Sequence, residues 1–321
     1  MVKFSIIIPV KEINDYIRRF VPVILNQSYR DFEIIILPDE NEIVPFRDKR
    51  VKIIKTGPAG PAQKRDIGAK KACGEILAFI DDDAYPEDNW LKNSLKSFKN
   101  KENLGVGGPN LTPEESNFFQ KVSGEVLASW IISGPVTYRY KKSKKRELED
   151  FPSCNLFIRK KDFLKAKGFD TNFWPGEDTK LCLDVRKNGG KIVYDPEVVV
   201  YHHRRKDLNG YLKQIFSYAL HRGHFTKEYP ETSLKLSYFM PALFFLGIII
   251  GSILALFSSW IAILYVAILL FYLLLLIFSA IKTKSPIMFF PFIAISFLTH
   301  ITYGIGFIIG LIKKDLKSKY R

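Results

Sequence analysis

The last third of the chain is almost wholly apolar, and this limits what the remainder can be. Segments 238–257, 260–281 and 287–312 contain no Asp, Glu, Lys or Arg. Spanning the hydrocarbon core of a bilayer takes about 20 apolar residues, and each segment reaches that length. A soluble core helix rarely runs so far without a charge. The segments are therefore predicted to be transmembrane helices, so that residues 236–321 form a membrane region with a basic tail. Residues 1–235, mixed and charged, are left to build a water-exposed body.

Charge points the same way. Lys and Arg number 48 against 33 Asp and Glu, a formal net charge of +15. An excess of that size favours an anionic partner, either nucleic acid or a membrane surface. The apolar third and the lack of any zinc-finger or other nucleic-acid-binding signature favour anionic membrane lipids and no nucleic acid. The cysteines, Cys73, Cys154 and Cys182, are odd in number and show no CxxC spacing. They read as small buried side chains in a reducing compartment rather than a disulfide framework. The apolar run that starts at Phe4 is short, is followed by Lys11 and Glu12, and lacks a small-residue cleavage site. It reads as a first buried strand, not a signal peptide.

The first half alternates strand and helix signals. Phe4–Pro9, Phe32–Leu37, 51–55 and Ile76–Ile80 are short apolar runs. Ile13, Ile17, Phe20, Val21, Ile24 and Leu25 recur at helical spacing, and Pro61 opens a second helix. Strands buried on both faces and separated by helices imply an α/β fold with a Rossmann-like, mixed, mostly parallel sheet flanked by helices. Ligands of such sheets bind beyond the C-terminal strand ends. Pro9, Asp39 and Asp81-Asp82-Asp83 all fall at such ends. Further on, 139–146 reads RYKKSKKR, a basic exposed loop. Short strands at Lys191–Tyr194 and 198–201 lead into His202-His203-Arg204-Arg205, where strand alternation turns His203 to the face opposite His202. Residues 207–228 mix Tyr211, Phe216, Tyr218 and Phe225 with Lys213, Arg222 and Lys227, as in an amphipathic helix at a membrane interface. A soluble helix packed on the rest of the protein gives the same pattern.

Three consecutive carboxylates after a buried strand repel one another and raise each other's pKa. A hard divalent cation removes that cost, because Mg2+ or Mn2+ bridges one or two carboxylates to a substrate's phosphates. Asp81-x-Asp83 is thus a candidate metal–diphosphate site. The competing reading is an acidic cluster, Asp82, Asp83 and Glu87, that favours the dipole of a helix over 88–98.

Four stretches carry a family resemblance. SIIIPVKE at 5–12, DFEIIILPDEN at 31–41 and PAQKRDIGAKKACGEILAFIDDDAYPEDNWL at 61–91 resemble the nucleotide-sugar half of the inverting glycosyltransferases of family 2, which have the GT-A fold. FWPGEDTKLCLDVRKNGGKIVYDPEVVVYHH at 173–203 is similar to their acceptor half. The resemblance implies a GT-A catalytic domain over 1–206, an interfacial segment over 207–235 and the membrane region beyond. It implies that Pro9, Val10 and Glu12 line a nucleoside pocket, that Asp39 accepts from the base, most simply uracil, and that Arg65 faces the nucleotide. Asp81 and Asp82 would meet the nucleotide-sugar. Asp83 and His202 would hold Mg2+ or Mn2+. Asp178 would be the general base that takes the acceptor's proton, a step the chemistry requires, with Asn155, Trp174, Glu177 and Arg222 on the acceptor side. The family often has Asn where this chain has Asp66, which leaves base and sugar preference open. QIFSYALHRG at 214–223 lacks the Arg-Trp of the processive synthases' Gln-x-x-Arg-Trp, so single-sugar addition is expected.

The function expected is therefore metal-dependent transfer of a sugar, with inversion, from a UDP-sugar to a lipid-linked or membrane-proximal glycan. A polyprenyl-phosphate sugar synthase is the alternative, and a non-catalytic nucleotide-sugar binder is the alternative of another class. Nucleotide sugars are made in the cytosol, so the catalytic body is expected on the cytoplasmic face of a multi-pass inner-membrane protein. Three crossings would carry the basic tail outside, against the positive-inside rule. Pro291, His300, Gly304 and Gly306 therefore suggest that 287–312 enters and returns as a broken hairpin.

Overall fold

The computed structural model describes residues 3–40, 46–169, 171 and 173–316. These fall into two compact units. One comprises the chain up to Pro113 together with Lys141–His203, and the other Glu114–Tyr140 together with Arg204–Leu316. The body expected over 1–206 is thus interrupted, since residues 114–140 pack with the C-terminal part of the chain.

The first unit begins with β1 (Phe4–Pro9), α1 (Asp15–Leu25), β2 (Phe32–Leu37), β3 (Val51–Ile53), α2 (Pro61–Lys71), β4 (Ile76–Ile80), β5 (Ala84–Pro86), α3 (Trp90–Ser97), β6 (Asn103–Gly107) and β7 (Asn110–Leu111). The chain then crosses to the second unit for α4 (Phe118–Ala128), α5 (Trp130–Ser133) and a 3-10 turn at Gly134–Arg139. It returns to the first for β8 (Arg146–Leu148), β9 (Asn155–Arg159), α6 (Lys160–Lys165), α7 (Glu177–Lys187), β10 (Lys191–Tyr194) and β11 (Val200–His202). The second unit is completed by α8 (Leu208–Glu228), α9 (Pro230–Ser233), α10 (Leu236–Ala255), α11 (Ser259–Ile281) and α12 (Phe289–Ile312).

The main sheet has strand order β3-β2-β1-β4-β9-β6-β10-β8. β1 to β4 pair in parallel, as do β6 and β10, while β9 and β8 run against their neighbours. Every residue of β1, β2 and β4 is buried, which is why these strands read as unbroken apolar runs. α1 lays Ile17, Val21 and Ile24 against the sheet. Two polar residues interrupt the pattern, and both are satisfied. Glu33 of β2, 3% exposed, accepts from the Ser5 hydroxyl at 2.6 Å, from Lys52 Nζ at 2.6 Å and from the Cys73 amide at 2.5 Å. Burial pushes its pKa up, but these donors outweigh it and hold the carboxyl below the usual value. A second, three-stranded sheet has the order β5-β11-β7.

In the second unit α8 runs along α12. Glycines permit the approach: a Cβ on Gly223 would lie 2.2 Å from the Phe307 carbonyl oxygen, and one on Gly310 2.1 Å from that of Leu220. The predicted hairpin over 287–312 is absent. α12 is one continuous helix, with Pro291 in its first turn, where proline is tolerated. Gly304 and Gly306 face the backbones of Pro241 and Phe216, so they serve close helix packing and do not break the helix. His300 is bonded on both sides, to the Tyr272 hydroxyl at 2.8 Å and the Ile131 carbonyl at 3.1 Å. α8 buries Tyr211, Ile215, Ala219 and Phe225, and its Lys213 and Tyr218 remain exposed. α10, α11 and the Pro286–Ile312 helix are long and apolar enough to cross a membrane. Only 6% of the apolar window is buried in each of the first two, so their outer faces suit lipid.

Two expectations follow. Gly223→Ala, measured by thermal unfolding in detergent, should cost about 1–3 kcal/mol through overpacking, whereas Gly247→Ala, with nothing within 4 Å of the new Cβ, should cost nothing. Glu33→Gln should destabilise the first unit at neutral pH by about 1–3 kcal/mol. Because the folded-state pKa of Glu33 is lowered, its contribution is present above the unfolded value and is lost as pH falls through the folded one. The wild-type advantage should therefore shrink on acidification below pH ~4.5, and an advantage that persists there would contradict the assignment.

Candidate active site

The rim of the main sheet is assembled by strand ends. β1 and β2 finish side by side at Pro9 and Leu37, and the Val10 amide donates to the Leu37 carbonyl at 3.2 Å. Past these ends lie Val10, which is buried, Glu12, which is exposed, and Asp39, which is half-buried. Sequence reasoning missed the residue that joins them. Lys64 of α2, 3% exposed, donates to the Val10 carbonyl at 2.5 Å, to the Leu37 carbonyl at 3.1 Å and to the Asp39 carboxylate. Its signal was its place in the first turns of α2, the helix that Pro61 opens.

β4 delivers Asp81, Asp82 and Asp83, all half-buried, to the same rim. They diverge. Asp82 accepts from the Asn14 side chain, which also caps α1 by accepting from the Ile17 amide at 2.9 Å. Burial and then the Asp83 charge push the Asp82 pKa up to about 6, against the pull of Asn14. Asp83 meets His202, with Nε2 to Oδ1 at 3.1 Å. The small sheet explains this long-range meeting: β11 pairs antiparallel with β5, which starts directly after Asp83, and the His203 amide donates to the Asp83 carbonyl at 3.0 Å. His203 itself turns away and packs on Tyr16 and Phe20 with centroids 5.1 and 5.7 Å apart.

Asp81, Asp83 and His202 bring ligand atoms within 4.8 Å of one another. Burial disfavours a charged imidazole, yet the carboxylate of Asp83, helped by Cys154, pushes the His202 pKa up to about 10. The site thus draws positive charge strongly, and two carboxylate oxygens with an imidazole nitrogen suit Mg2+ or Mn2+.

Arg65, 3% exposed, follows Lys64 on α2 and ties this triad to the first residue of α7. It donates to Asp81 at 2.6 Å and to Glu177 at 3.1 Å, and its guanidinium lies over the Phe169 ring at 5.6 Å. Glu177 and Asp178 open α7 behind Gly176, whose φ of +114° only glycine adopts readily. Burial, then the Asp178 charge, raise the Glu177 pKa, and Arg65 opposes them. Asp178 is half-buried and accepts from the Thr179 amide at 2.9 Å and the Ser153 amide at 3.3 Å. Asp81, Arg65, Glu177 and Asp178 are therefore one linked chain of charges.

Other expected residues fall elsewhere. Asn155 is not on an acceptor-facing surface: it is fully buried, accepts from the Trp90 indole at 2.8 Å and donates to the carbonyls of Gly108 and Val198, each at 2.8 Å. Its amide staples β9 to its neighbours. Trp174 is exposed just ahead of α7. Arg222 belongs to the second unit, where it donates to the Ser233 hydroxyl at 3.1 Å and stacks on Tyr238 at 4.6 Å. Asp66, the departure from the family pattern, accepts from the Phe169 amide at 2.9 Å and so holds the turn that leads toward α7.

The chain is 28% identical over 336 residues, 98% of its length and 99% of the other's, to a Methanococcus voltae protein named dolichyl N-acetyl-alpha-D-glucosaminyl phosphate 3-beta-D-2,3-diacetamido-2,3-dideoxy-beta-D-glucuronosyltransferase. It is 23% identical over 202 residues, 57% of this chain and 62% of the relative, to the glucosyl-dolichyl phosphate glucuronosyltransferase of Haloferax volcanii. Among solved structures, the mannosyltransferase PcManGT of Pyrobaculum calidifontis, in complex with GDP-Man and Mn2+, shares the fold at a TM-score of 0.50 and 13% identity, over 96% of this chain and 72% of that one. The sequence profile of Glycosyl transferase family 2 matches residues 5–165, half of the chain. The chain belongs to that family: it is a glycosyltransferase with a GT-A-type domain and C-terminal helices of membrane-spanning length.

Proposed function

We propose that the protein transfers one sugar, with inversion, from a UDP-sugar to a sugar already joined through phosphate to a polyisoprenoid lipid. The observation that carries this reading is the linkage of the metal-binding triad to the start of α7 through Arg65. It supports a diphosphate site and a carboxylate base in one neighbourhood.

Pro9, Val10 and Glu12 would line the nucleoside, with Asp39 accepting from the base while Lys64 holds its carboxylate. Asp81, Asp83 and His202 would hold Mg2+ or Mn2+, which when bound neutralises the donor's diphosphate. Asp178 takes the proton from the acceptor hydroxyl as that oxygen attacks the anomeric carbon. The bond to the diphosphate breaks on the opposite face, and a single displacement inverts the centre. Glu177, bound to Arg65, fixes the first turn of α7 and with it the Asp178 carboxylate. The lipid-linked acceptor is supported by the names of the two archaeal relatives, both of which act on dolichyl phosphate sugars. The three apolar helices would anchor the enzyme in the membrane, with the catalytic unit on the cytoplasmic side, where nucleotide sugars are made.

Asp83→Ala should abolish Mn2+-dependent UDP binding, read by calorimetry. Asp178→Asn should keep that binding and lower transfer by about 10²–10⁴-fold, measured with UDP-hexuronate and UDP-N-acetylhexosamine donors. Normal transfer by Asp178→Asn would remove the base assignment. Sugar 1-phosphate formed on polyprenyl phosphate alone would replace the acceptor reading with that of a polyprenyl-phosphate sugar synthase.

A further inference from the structure

We infer that α12 does not cross the bilayer but lies with α8 as a membrane-docking layer within one leaflet. Among the described residues only α10 and α11 then cross, and the basic residues after α12 return to the side from which α10 enters. The inference rests on helix contacts inside the second unit and is independent of the donor and acceptor proposed above.

α10 and α11 form an antiparallel pair, each long enough to span. Phe244 meets Tyr272 with ring centroids 4.4 Å apart. Farther along, Tyr265 donates to the Ile248 carbonyl at 3.2 Å and bonds the Ser252 hydroxyl at 2.8 Å. Leu256, Phe257 and Trp260 at the turn are exposed. With a rise of about 1.5 Å per residue, this pair is a scale of depth for anything packed on it. A crossing α12 would carry Phe307 ~27 Å beyond Phe289, level with that turn. Its contacts lie elsewhere. α12 begins where Met288 and Phe292 share a cluster with Ala280, at the end of α11. His300 then meets the rings of Phe244 and Tyr272, each at 5.8 Å, about 12–14 Å in from the start of α10 and the end of α11. Beyond His300 the helix comes back. A Cβ on Gly304 would lie 2.5 Å from the Pro241 carbonyl oxygen, and Phe307 packs on Phe239 at 4.8 Å. These partners stand only about 5–8 Å from the start of α10. Both halves of one continuous helix therefore sit at the same end of the hairpin, so α12 runs across the pair and not along it.

α8 fixes the same level. It follows α12 from Tyr211, bonded to Thr299 at 2.9 Å, to Lys227, which donates to the Leu311 and Lys313 carbonyls at 2.8 and 2.7 Å. Lys213, Lys227 and Glu228 are exposed. Beside a crossing α12 such charges would be drawn into hydrocarbon at high cost, whereas in a surface layer they reach water and anionic headgroups. Cover from α8, and from Val122 and Val126 of α4, accounts for the 44% burial of the apolar window of α12, against 6% in α10 and α11. Charge agrees with this arrangement. Lys235 precedes α10, Lys282 and Lys284 follow α11, and Lys313 and Lys314 follow α12, while residues 256–260 between the two spans hold no Lys or Arg. One side of the membrane thus carries the cations.

The test uses the full chain in sealed membrane vesicles of both orientations and a membrane-impermeant maleimide. Native Cys73, exposed on the first unit, is the reference, Cys154 and Cys182 being buried. Lys213→Cys, Lys314→Cys and Phe257→Cys are each placed in a Cys73→Ser chain. Lys213→Cys and Lys314→Cys should be labelled from the side that labels Cys73, and Phe257→Cys from the other side alone. Labelling of Lys314→Cys together with Phe257→Cys, or of Lys213→Cys only after detergent, would overturn the inference. So would labelling of Phe257→Cys from the Cys73 side, which removes the crossing of α10 and α11. The unsubstituted chain gives a second measurement. Trypsin on the Cys73 side of sealed vesicles should cut at Lys313 or Lys314, and protection of both until detergent is added would show that α12 crosses.

Discussion

Negative charge crowds the edge of the main sheet, and the catalytic unit depends on how that crowding is relieved. Asp39, Asp81, Asp82, Asp83, Glu177 and Asp178 arrive there on two parallel strands and one helix. Left alone they would repel. Two adjacent buried cations on α2 relieve them in different directions: Lys64 toward Asp39 and the ends of β1 and β2, Arg65 toward Asp81 and Glu177. His202, brought in by the small sheet, faces Asp83. What remains unrelieved is visible in the raised pKa of Asp82 and of Glu177, where burial leads and neighbouring carboxylates add to it. A rim so poised is suited to a divalent cation and a diphosphate, because both enter as parts of one charge-balanced complex.

The two units are held together internally by different physics. The first has a dry core of aliphatic strands, into which Glu33 and Asn155 enter only with every polar partner supplied. Removing such a residue leaves buried partners unsatisfied, so each helps define which strands lie side by side. The second cannot draw on the exclusion of water where its helices face lipid. It relies on glycines that let α8 and α12 touch backbone to backbone, and on polar pairs such as Tyr211 with Thr299 at 2.9 Å and Tyr272 with His300 at 2.8 Å.

That contrast explains which parts of the molecule could be read in advance. Buried parallel strands announce themselves as apolar runs, so β1, β2 and β4 were legible to the residue, and with them the sheet edge that receives Asp39 and Asp81–Asp83. Alternation along β11 separated His202 from His203 correctly, because the two-residue period of a strand is local geometry. Glycine and histidine in an apolar helix were less legible. Gly304, Gly306 and His300 suggested a break in 287–312, but a neighbouring helix gives each of them a partner that no local pattern contains.

The amino-acid order by itself determined the α/β alternation, the apolar C-terminal helices, the acidic strand end and the acidic pair that opens α7, since all of these depend on neighbours within a few residues. Tertiary structure alone decided that Lys64 and Arg65 turn inward to opposite carboxylates, that Asn155 is spent inside the core, and that residues 114–140 pack with the second unit. The reason is common to all three. Each is an electrostatic or packing choice between partners far apart in sequence, and it exists only once the backbone has brought them within a few ångströms.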